Sequence, residues 1–151
     1  MLVFDKQLQI YEIALKEDGV SEMKGPHQNP RILEYHSTTL LKANDEEVSW
    51  CSSFLNWCCL RAKVIGTNSA AARSWLKWGQ IIKSPQVGDF IILKRGDDPK
   101  KGHCGIYQGI KSGLVKVFGG NQQNKVCSMH FNADHVLGYR RYYDPNHNVS
   151  Q

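Results

Sequence analysis

Several features that mark other classes of protein are missing from this sequence. Its 151 residues contain no stretch that approaches the roughly 20 apolar residues of a membrane-spanning helix. The N-terminal segment MLVFDKQLQIYEIALKEDG has neither a basic start nor a long apolar block, so no standard export leader is predicted. Hydrophobic residues make up 41% and charged residues 22% of the chain, which predicts a folded domain rather than disorder.

The cysteines lack the spacing of a disulfide framework or of a zinc site. Their number is odd, and no leader points to an oxidising compartment. No C-x-x-C pair occurs and two of the cysteines are adjacent, which does not suit tetrahedral zinc. We therefore expect no metal or other cofactor, and mostly buried thiols. The five cysteines are Cys51, Cys58, Cys59, Cys104 and Cys127.

An excess of acidic charge is also missing, because the formal net charge is +5 at pH 7. A positive charge favours an anionic partner such as a cell wall or a nucleic acid. The basic residues are scattered, however, and a solvated loop explains their densest cluster better than a nucleic-acid groove. We expect neither a nucleic-acid partner nor membrane insertion. The cluster is Lys94, Arg95, Lys100 and Lys101, around the turn Gly96–Pro99.

The first half of the chain has the periodicity of helices. Apolar residues recur at helical spacing, and asparagine or serine stands before the apolar runs, as at helix starts. The predicted helical segments are Leu8 to Leu15 ended by Gly19, a start at Asn29-Pro30, about Trp50 to Ala62 capped by Ser49, and about Ala70 to Trp78 capped by Asn68 or Ser69.

The second half changes to the pattern of strands, with short apolar runs separated by Gly and Asn turns. Helices followed by a strand meander predict an α+β fold, with N-terminal helices packed on an antiparallel sheet. We expect one domain at residues 1–143 and a flexible tail at 144–151. The predicted strands are Phe90–Leu93, His103–Gln108, Leu114–Phe118, Lys125–Met129 and Val136–Tyr142.

Cys51 is the best candidate nucleophile. It follows the proposed cap, Ser49, by two residues, so its thiol should lie at a helix N-terminus among unpaired backbone N–H groups. The helix dipole there lowers the pKa of a thiol, and the N–H groups can form an oxyanion hole. A buried structural cysteine is the alternative. Cys58 and Cys59 fall mid-helix and Cys127 mid-strand, where no such activation exists.

His103 is the best candidate base, because it opens a strand from which its side chain can reach a neighbouring helix end. Glycines on either side allow another backbone to approach closely. The adjacent Cys104 points to the opposite face of the strand, so we expect it in the core. The alternatives are an ordinary structural role for His103, or His130 or His135 as the base.

A third residue should orient the imidazole. Asn121 follows Phe118-Gly119-Gly120 at the end of the next strand, and its amide oxygen could accept from one ring nitrogen. A nucleophile, a base and an orienting amide on separate elements are typical of cysteine hydrolases. Gln122 is the alternative third member, and Asn121 could instead be a plain turn residue.

These residues belong to a series of segments that resembles the papain-like NlpC/P60 and CHAP superfamily of peptidoglycan hydrolases. The resemblance looks closest to small, single-domain members associated with phages and secretion. The matching segments run in order across most of the chain: EMKGPHQNPRILEY at 22–35, SWCSSFLNWC at 49–58, GTNSAAARSWLKWG at 66–79, PQVGDFIIL at 85–93, GHCGIYQG at 102–109, FGGNQQN at 118–124 and VLGYRR at 136–141.

The resemblance implies a helical N-terminal half on an antiparallel sheet of about five or six strands. It implies Cys51 as nucleophile, His103 as general base and a polar third residue, best matched by Asn121. It also implies hydrolysis of a peptidoglycan amide, by a cysteine endopeptidase or an N-acetylmuramoyl-L-alanine amidase, through a thioester and without a metal. The expected partners are stem peptides.

The resemblance also implies a biological setting. The protein would be made in the bacterial cytoplasm and act in the periplasm or on the cell wall, as a lysin or an injected antibacterial effector. A holin, a secretion apparatus or a cognate immunity protein would then be a partner. One departure is Cys104, where relatives usually carry an aliphatic residue.

Aromatic residues near the matched motifs are candidates for a substrate groove. Trp50, Tyr35, Gln122 and Trp78 could line the groove or the oxyanion site, and Trp75 could join them. Aromatic side chains at such helical positions are more often core residues. Two other functions also stay open: a thiol hydrolase or acyltransferase acting on a different amide, and a non-catalytic basic binding module.

Overall fold

A computed structural model of the chain describes residues 3–24, 28–39 and 49–144. The predicted tail therefore lies outside the described residues apart from Asp144. Within the described ranges, no helix is both long enough and apolar enough to cross a membrane.

Three α-helices form the N-terminal part of the described chain. Asn29 caps the second helix as predicted, because its side-chain oxygen accepts from the N–H of Arg31 at 2.9 Å and Pro30 occupies the first helical position. The helices are α1 Val3–Leu15, α2 Pro30–His36 and α3 Cys51–Arg61.

The helix predicted at about Ala70 to Trp78 is instead a shorter 3-10 helix, Ala72–Lys77. Neither predicted residue caps it: its first flanking residue is Ala71, which makes no side-chain capping bond. Packing of Trp75 anchors this segment, because the ring is fully buried and its Nε1 donates to Ser52 Oγ at 2.8 Å. Tertiary contact has overridden local helix propensity here.

The strands of the described residues form one six-stranded antiparallel sheet in the order β1-β6-β2-β3-β4-β5. The predicted α+β fold class, with helices on an antiparallel sheet, is confirmed. The first strand was not predicted, because three residues carry too little periodicity. The strands are β1 Gln80–Ile82, β2 Phe90–Lys94, β3 Gly102–Lys111, β4 Leu114–Gln122, β5 Lys125–Asn132 and β6 Val136–Arg141.

The two faces of the sheet are covered differently, as strand alternation requires. The inner face packs against the helices and supplies Phe90, Ile92, Cys104, Ile106 and Phe118 to the main core. The outer face carries a smaller cluster of Ile91, Leu93, Tyr107, Val115 and Val117.

Strand β4 approaches the start of α3 at Gly120. A Cβ atom there would lie 2.8 Å from both Phe54 Cβ and the Trp50 ring, so a larger residue would push the strand away. The close contact brings the end of β4 beside the first turn of α3.

Candidate active site

Cys51 is the first residue of α3, whereas the sequence predicted it at the second position after a cap at Ser49. Trp50 occupies the N-cap position and makes no side-chain capping bond, so the prediction of Ser49 as the cap is wrong. The Ser49 hydroxyl instead accepts from Asn121 Nδ2 at 3.3 Å. The first intrahelical bond runs from Phe54 N to Trp50 O at 2.9 Å. The first three N–H groups of α3, including that of Cys51, therefore have no acceptor within the helix.

His103 lies near the start of β3, on the outer face, where it is 3% exposed. It pairs directly with Leu93 of β2, and its ring stacks on Phe131 with centroids 5.2 Å apart. Its Nε2 lies 2.9 Å from Gln122 Oε1. These contacts fix the plane and the rotation of the imidazole.

The hydrogen bonds of Gln122 determine which ring nitrogen of His103 carries the proton when the imidazole is neutral. Its Nε2 donates to Val117 O at 3.0 Å and to Cys127 O at 2.7 Å, so both amide hydrogens are used by carbonyl groups. The amide oxygen must then face the ring and accept from the Nε2–H of His103. Nδ1 is buried and has no hydrogen-bond partner of ordinary geometry among the described residues. This nitrogen is left for the thiol of Cys51.

Gln122 takes the position that we expected for Asn121, because β4 contains a bulge. Val117 belongs to the outer cluster and Phe118 to the inner core, so strict alternation would place Asn121 on the outer face with His103. The pairing of β4 with β5 shifts just before Gln122, and Asn121 adopts a left-handed backbone with φ of 57°. The extra residue moves Gln122 to the outer face. The expected contact of Asn121 with the imidazole is therefore wrong.

The pKa of Cys51 lies well below that of an ordinary thiol. A hydrogen bond with the Cys104 thiol lowers the pKa most, burial opposes it, and the charge and hydrogen bond of His103 lower it further. Burial lowers the pKa of His103, but the neighbouring Cys51 and the bond with Gln122 raise it by more. The two groups therefore favour a thiolate beside an imidazolium.

Cys104 is buried in the core on the inner face, as expected, but it also contacts Cys51, which sequence reasoning missed. Its own pKa lies well above the usual range because of burial and the neighbouring Cys51, so it remains a neutral donor. Cys51 thus interacts with side chains on both faces of β3. Both contacts lie near the start of β3, before the segment Ile106 to Lys111 that pairs with β4.

The rival histidines lie elsewhere on the molecule. His130 is exposed on β5 and lines a cavity with residues from the end of β3 and the start of β4. His135 is exposed in a short 3-10 turn between β5 and β6. Neither contributes to the setting of Cys51, whose interactions involve His103 and Cys104.

A cavity of about 310 Å³ opens at Cys51. Its lining combines the small side chains of residues 70–72 with residues of the loop between β2 and β3. The lining residues are Ser49, Cys51, Ala70, Ala71, Ala72, Arg95, Lys100, Lys101 and Gly102.

Two aromatic residues expected in a groove are core residues instead. Trp50 and Tyr35 are both 0% exposed, and their rings stack with centroids 5.8 Å apart. The groove prediction is wrong for both, because α2 and α3 pack directly on these rings. Trp75 is likewise fully buried. Trp78 is half-buried and stacks on Phe90, but it is not among the residues that line the cavity at Cys51.

The described part of the chain contains no group of three or more His, Cys, Asp or Glu side chains arranged to hold a metal ion.

Comparison with solved structures finds a protein with a similar fold. The chain is similar to a protein from Staphylococcus aureus subsp. aureus Mu50 described as similar to lipoprotein, NLP/P60 family. The match has a TM-score of 0.51 and 15% sequence identity, and it covers 93% of this chain and 42% of that protein. This chain therefore has an NlpC/P60-like α+β fold, over less than half the length of that protein. No family model and no curated protein matches the sequence.

Proposed function

We propose that this protein is a cysteine hydrolase that cuts an amide bond in the peptide part of bacterial peptidoglycan. The main support for this proposal is the Cys51 thiol at the start of α3. Its pKa is lowered, and it lies beside the His103 imidazole, whose orientation Gln122 fixes. The NlpC/P60-like fold supports the substrate class. The bond cut would lie between stem-peptide residues or between muramic acid and L-alanine.

In the first step, the Cys51 thiolate adds to the amide carbonyl carbon, and the carbonyl π electrons move to oxygen. The free N–H groups at the start of α3 are placed to stabilise that oxyanion. When the tetrahedral intermediate collapses, the Nδ1 proton of His103 passes to the leaving amine. A thioester on Cys51 remains.

In the second step, neutral His103 accepts a proton at Nδ1 from a water molecule as the water oxygen attacks the thioester. The Cys51 thiolate leaves, and the product is a carboxylic acid. Gln122 keeps its oxygen on Nε2–H throughout, so Nδ1 stays directed at the reacting atoms.

The proposal includes a biological setting. The protein would be made in the bacterial cytoplasm and would act in the periplasm or on the wall after release or injection. Its role would be that of a phage lysin or an antibacterial effector, and the corresponding partner would be a holin, a secretion apparatus or an immunity protein.

Digestion of purified sacculi tests the proposal. The wild-type protein should release soluble muropeptides, and mass spectrometry of the new termini should identify the bond. Cys51→Ala should release none, with a loss of turnover of about 10³-fold or more. Cys59→Ala is the matched control, because it removes a buried thiol from the same helix, away from the cavity.

The outcomes separate the three candidate functions. Intact sacculi with selective labelling of Cys51 by iodoacetamide would favour a thiol hydrolase or acyltransferase of another substrate. Intact sacculi with no preference for Cys51 among the cysteines would favour a binding module. Either outcome would overturn the proposed substrate.

A further inference from the structure

The cavity at Cys51 has a strongly one-sided charge. Three of its lining residues, Arg95, Lys100 and Lys101, are cationic, and no acidic residue lines it. All three belong to the 95–101 loop, which joins β2 to β3 and ends one residue before Gly102. The reacting thiol and three positive charges therefore share one cavity.

The loop that carries these charges is held in place by Arg73 of the 3-10 helix. Arg73 Nε donates to Lys101 O at 2.7 Å, and its Nη2 donates to Asp98 O at 3.4 Å. The Arg73 side chain also lies over Gly102, where a Cβ atom would be only 3.2 Å from Arg73 Cγ. The loop is thus tied to the 3-10 helix, whose first residue, Ala72, also lines the cavity.

The acidic residues of the loop do not neutralise the cavity. Asp98 Oδ1 accepts from the backbone N–H of Lys100 at 2.9 Å, so this carboxylate stabilises the turn itself. Asp97 is exposed and does not line the cavity. The positive charge of Arg95 acts on the site, since it lowers the pKa of both His103 and Cys104.

We propose that Arg95, Lys100 and Lys101 bind a carboxylate of the substrate, so that the preferred substrates are acidic peptides with a free carboxylate close to the amide cut by Cys51. This inference rests on the proposed function and narrows its substrate class. The side chains of Ala70, Ala71 and Ala72, which line the same cavity, are small and leave space for a peptide. A carboxylate bound there would also offset the field of Arg95 on His103.

A matched pair of substrates tests the inference. Sacculus digestion first identifies the bond, and soluble muropeptides containing that bond are then prepared with the adjacent carboxylate free or converted to a carboxamide. The wild-type enzyme should cleave the free acid with the higher kcat/KM. Exposed ion pairs of this kind change affinity by about two- to fivefold each, so we expect a preference of about tenfold or more from three cations.

The triple variant Arg95→Gln/Lys100→Gln/Lys101→Gln should lose this preference. Its kcat/KM should fall much more for the free acid than for the carboxamide, mainly through KM, so that the ratio of the two values approaches one. Lys83→Gln, at an exposed lysine that does not line the cavity, is the control and should keep the wild-type preference. Unchanged thermal melting of each variant shows that folding is intact.

Failure of this inference is distinguishable from failure of the proposed function. Equal cleavage of both muropeptides by the wild type, or a triple variant that retains the preference, would overturn the carboxylate site and leave the hydrolase standing. A wild-type protein that releases nothing from sacculi would overturn both.

Discussion

The two ends of α3 hold cysteines with opposite chemistry. Cys51, Cys58 and Cys59 are all buried, with 2%, 0% and 0% of their surface exposed. The pKa of Cys51 lies well below the ordinary thiol range, whereas burial raises the pKa values of Cys58 and Cys59 above it. Burial alone therefore does not decide the state of a thiol in this helix.

The difference comes from what surrounds each sulfur. Cys58 has Cys59 and Glu17 as neighbours, and these groups raise its pKa further. Cys51 has a thiol donor, an imidazole and the unpaired N–H groups of the first helical turn. A reactive cysteine is thus made by donors that the sheet and the helix terminus bring together.

Removing the imidazole should have the largest effect on this contrast. His103→Ala should lower turnover by about 10²- to 10⁴-fold, since it removes the general acid and base. The pKa of Cys51 should rise towards those of Cys58 and Cys59, because the charge and hydrogen bond of His103 are lost. The pH dependence of iodoacetamide labelling at Cys51, followed by peptide mass spectrometry, measures this rise.

His130→Ala is the matched control for that experiment, because it removes an exposed histidine outside the site. It should leave both turnover and labelling at wild-type levels. Loss of activity in His130→Ala or His135→Ala, with activity retained in His103→Ala, would show that the assignment of the base is wrong.

Removing the orienting amide should have an intermediate effect. Gln122→Ala should lower kcat by about 10- to 100-fold, as for other residues that orient a functional histidine. The pKa of His103 should fall, because its bond with Gln122 raises it. The alkaline limb of the pH–rate profile, where the imidazolium loses its proton, should therefore move to lower pH.

Asn121→Ala is the control on the neighbouring residue. It should change kcat little and leave the alkaline limb in place, because the side chain bonds to Ser49 and not to the ring. The reverse result, with Asn121→Ala impaired and Gln122→Ala active, would mean that Asn121 and not Gln122 orients His103 during turnover.

Asn121 and Gln122 also show how much of the site could be predicted from the sequence. The fold class, Cys51 at a helix start and His103 at a strand start follow from periodicity and turn residues, which are local signals. The choice between Asn121 and Gln122 depends on one extra residue in β4, and such a bulge reverses alternation without a clear local signal. Gly-Gly-Asn before Gln122 was the available hint, since asparagine tolerates the left-handed backbone.

Contacts between residues far apart in the chain also could not be predicted from the sequence. The alternation of β3 correctly places Cys104 in the core, yet it gives no sign that the thiol contacts Cys51 from α3. The burial of Trp50 and Tyr35 likewise depends on how α2 and α3 pack. Pairings between residues far apart in the chain are set by the whole fold and not by their own neighbours in sequence.

Replacing the thiol donor should have the smallest effect on turnover of the three, because His103 remains as general acid and base. Cys104→Val keeps a buried apolar side chain on the inner face but removes the hydrogen bond that lowers the pKa of Cys51 most. The loss of one such bond changes free energy by about 1 kcal/mol, so the midpoint of the labelling profile should rise by somewhat under one pH unit. Labelling below that midpoint should slow several-fold, while labelling at high pH should match wild type. Cys59→Val, the same replacement on α3, should leave the profile unchanged. If Cys104→Val also leaves the midpoint in place, the acidity of Cys51 comes from His103 and the helix terminus alone, and the contrast between the two ends of α3 needs no second thiol.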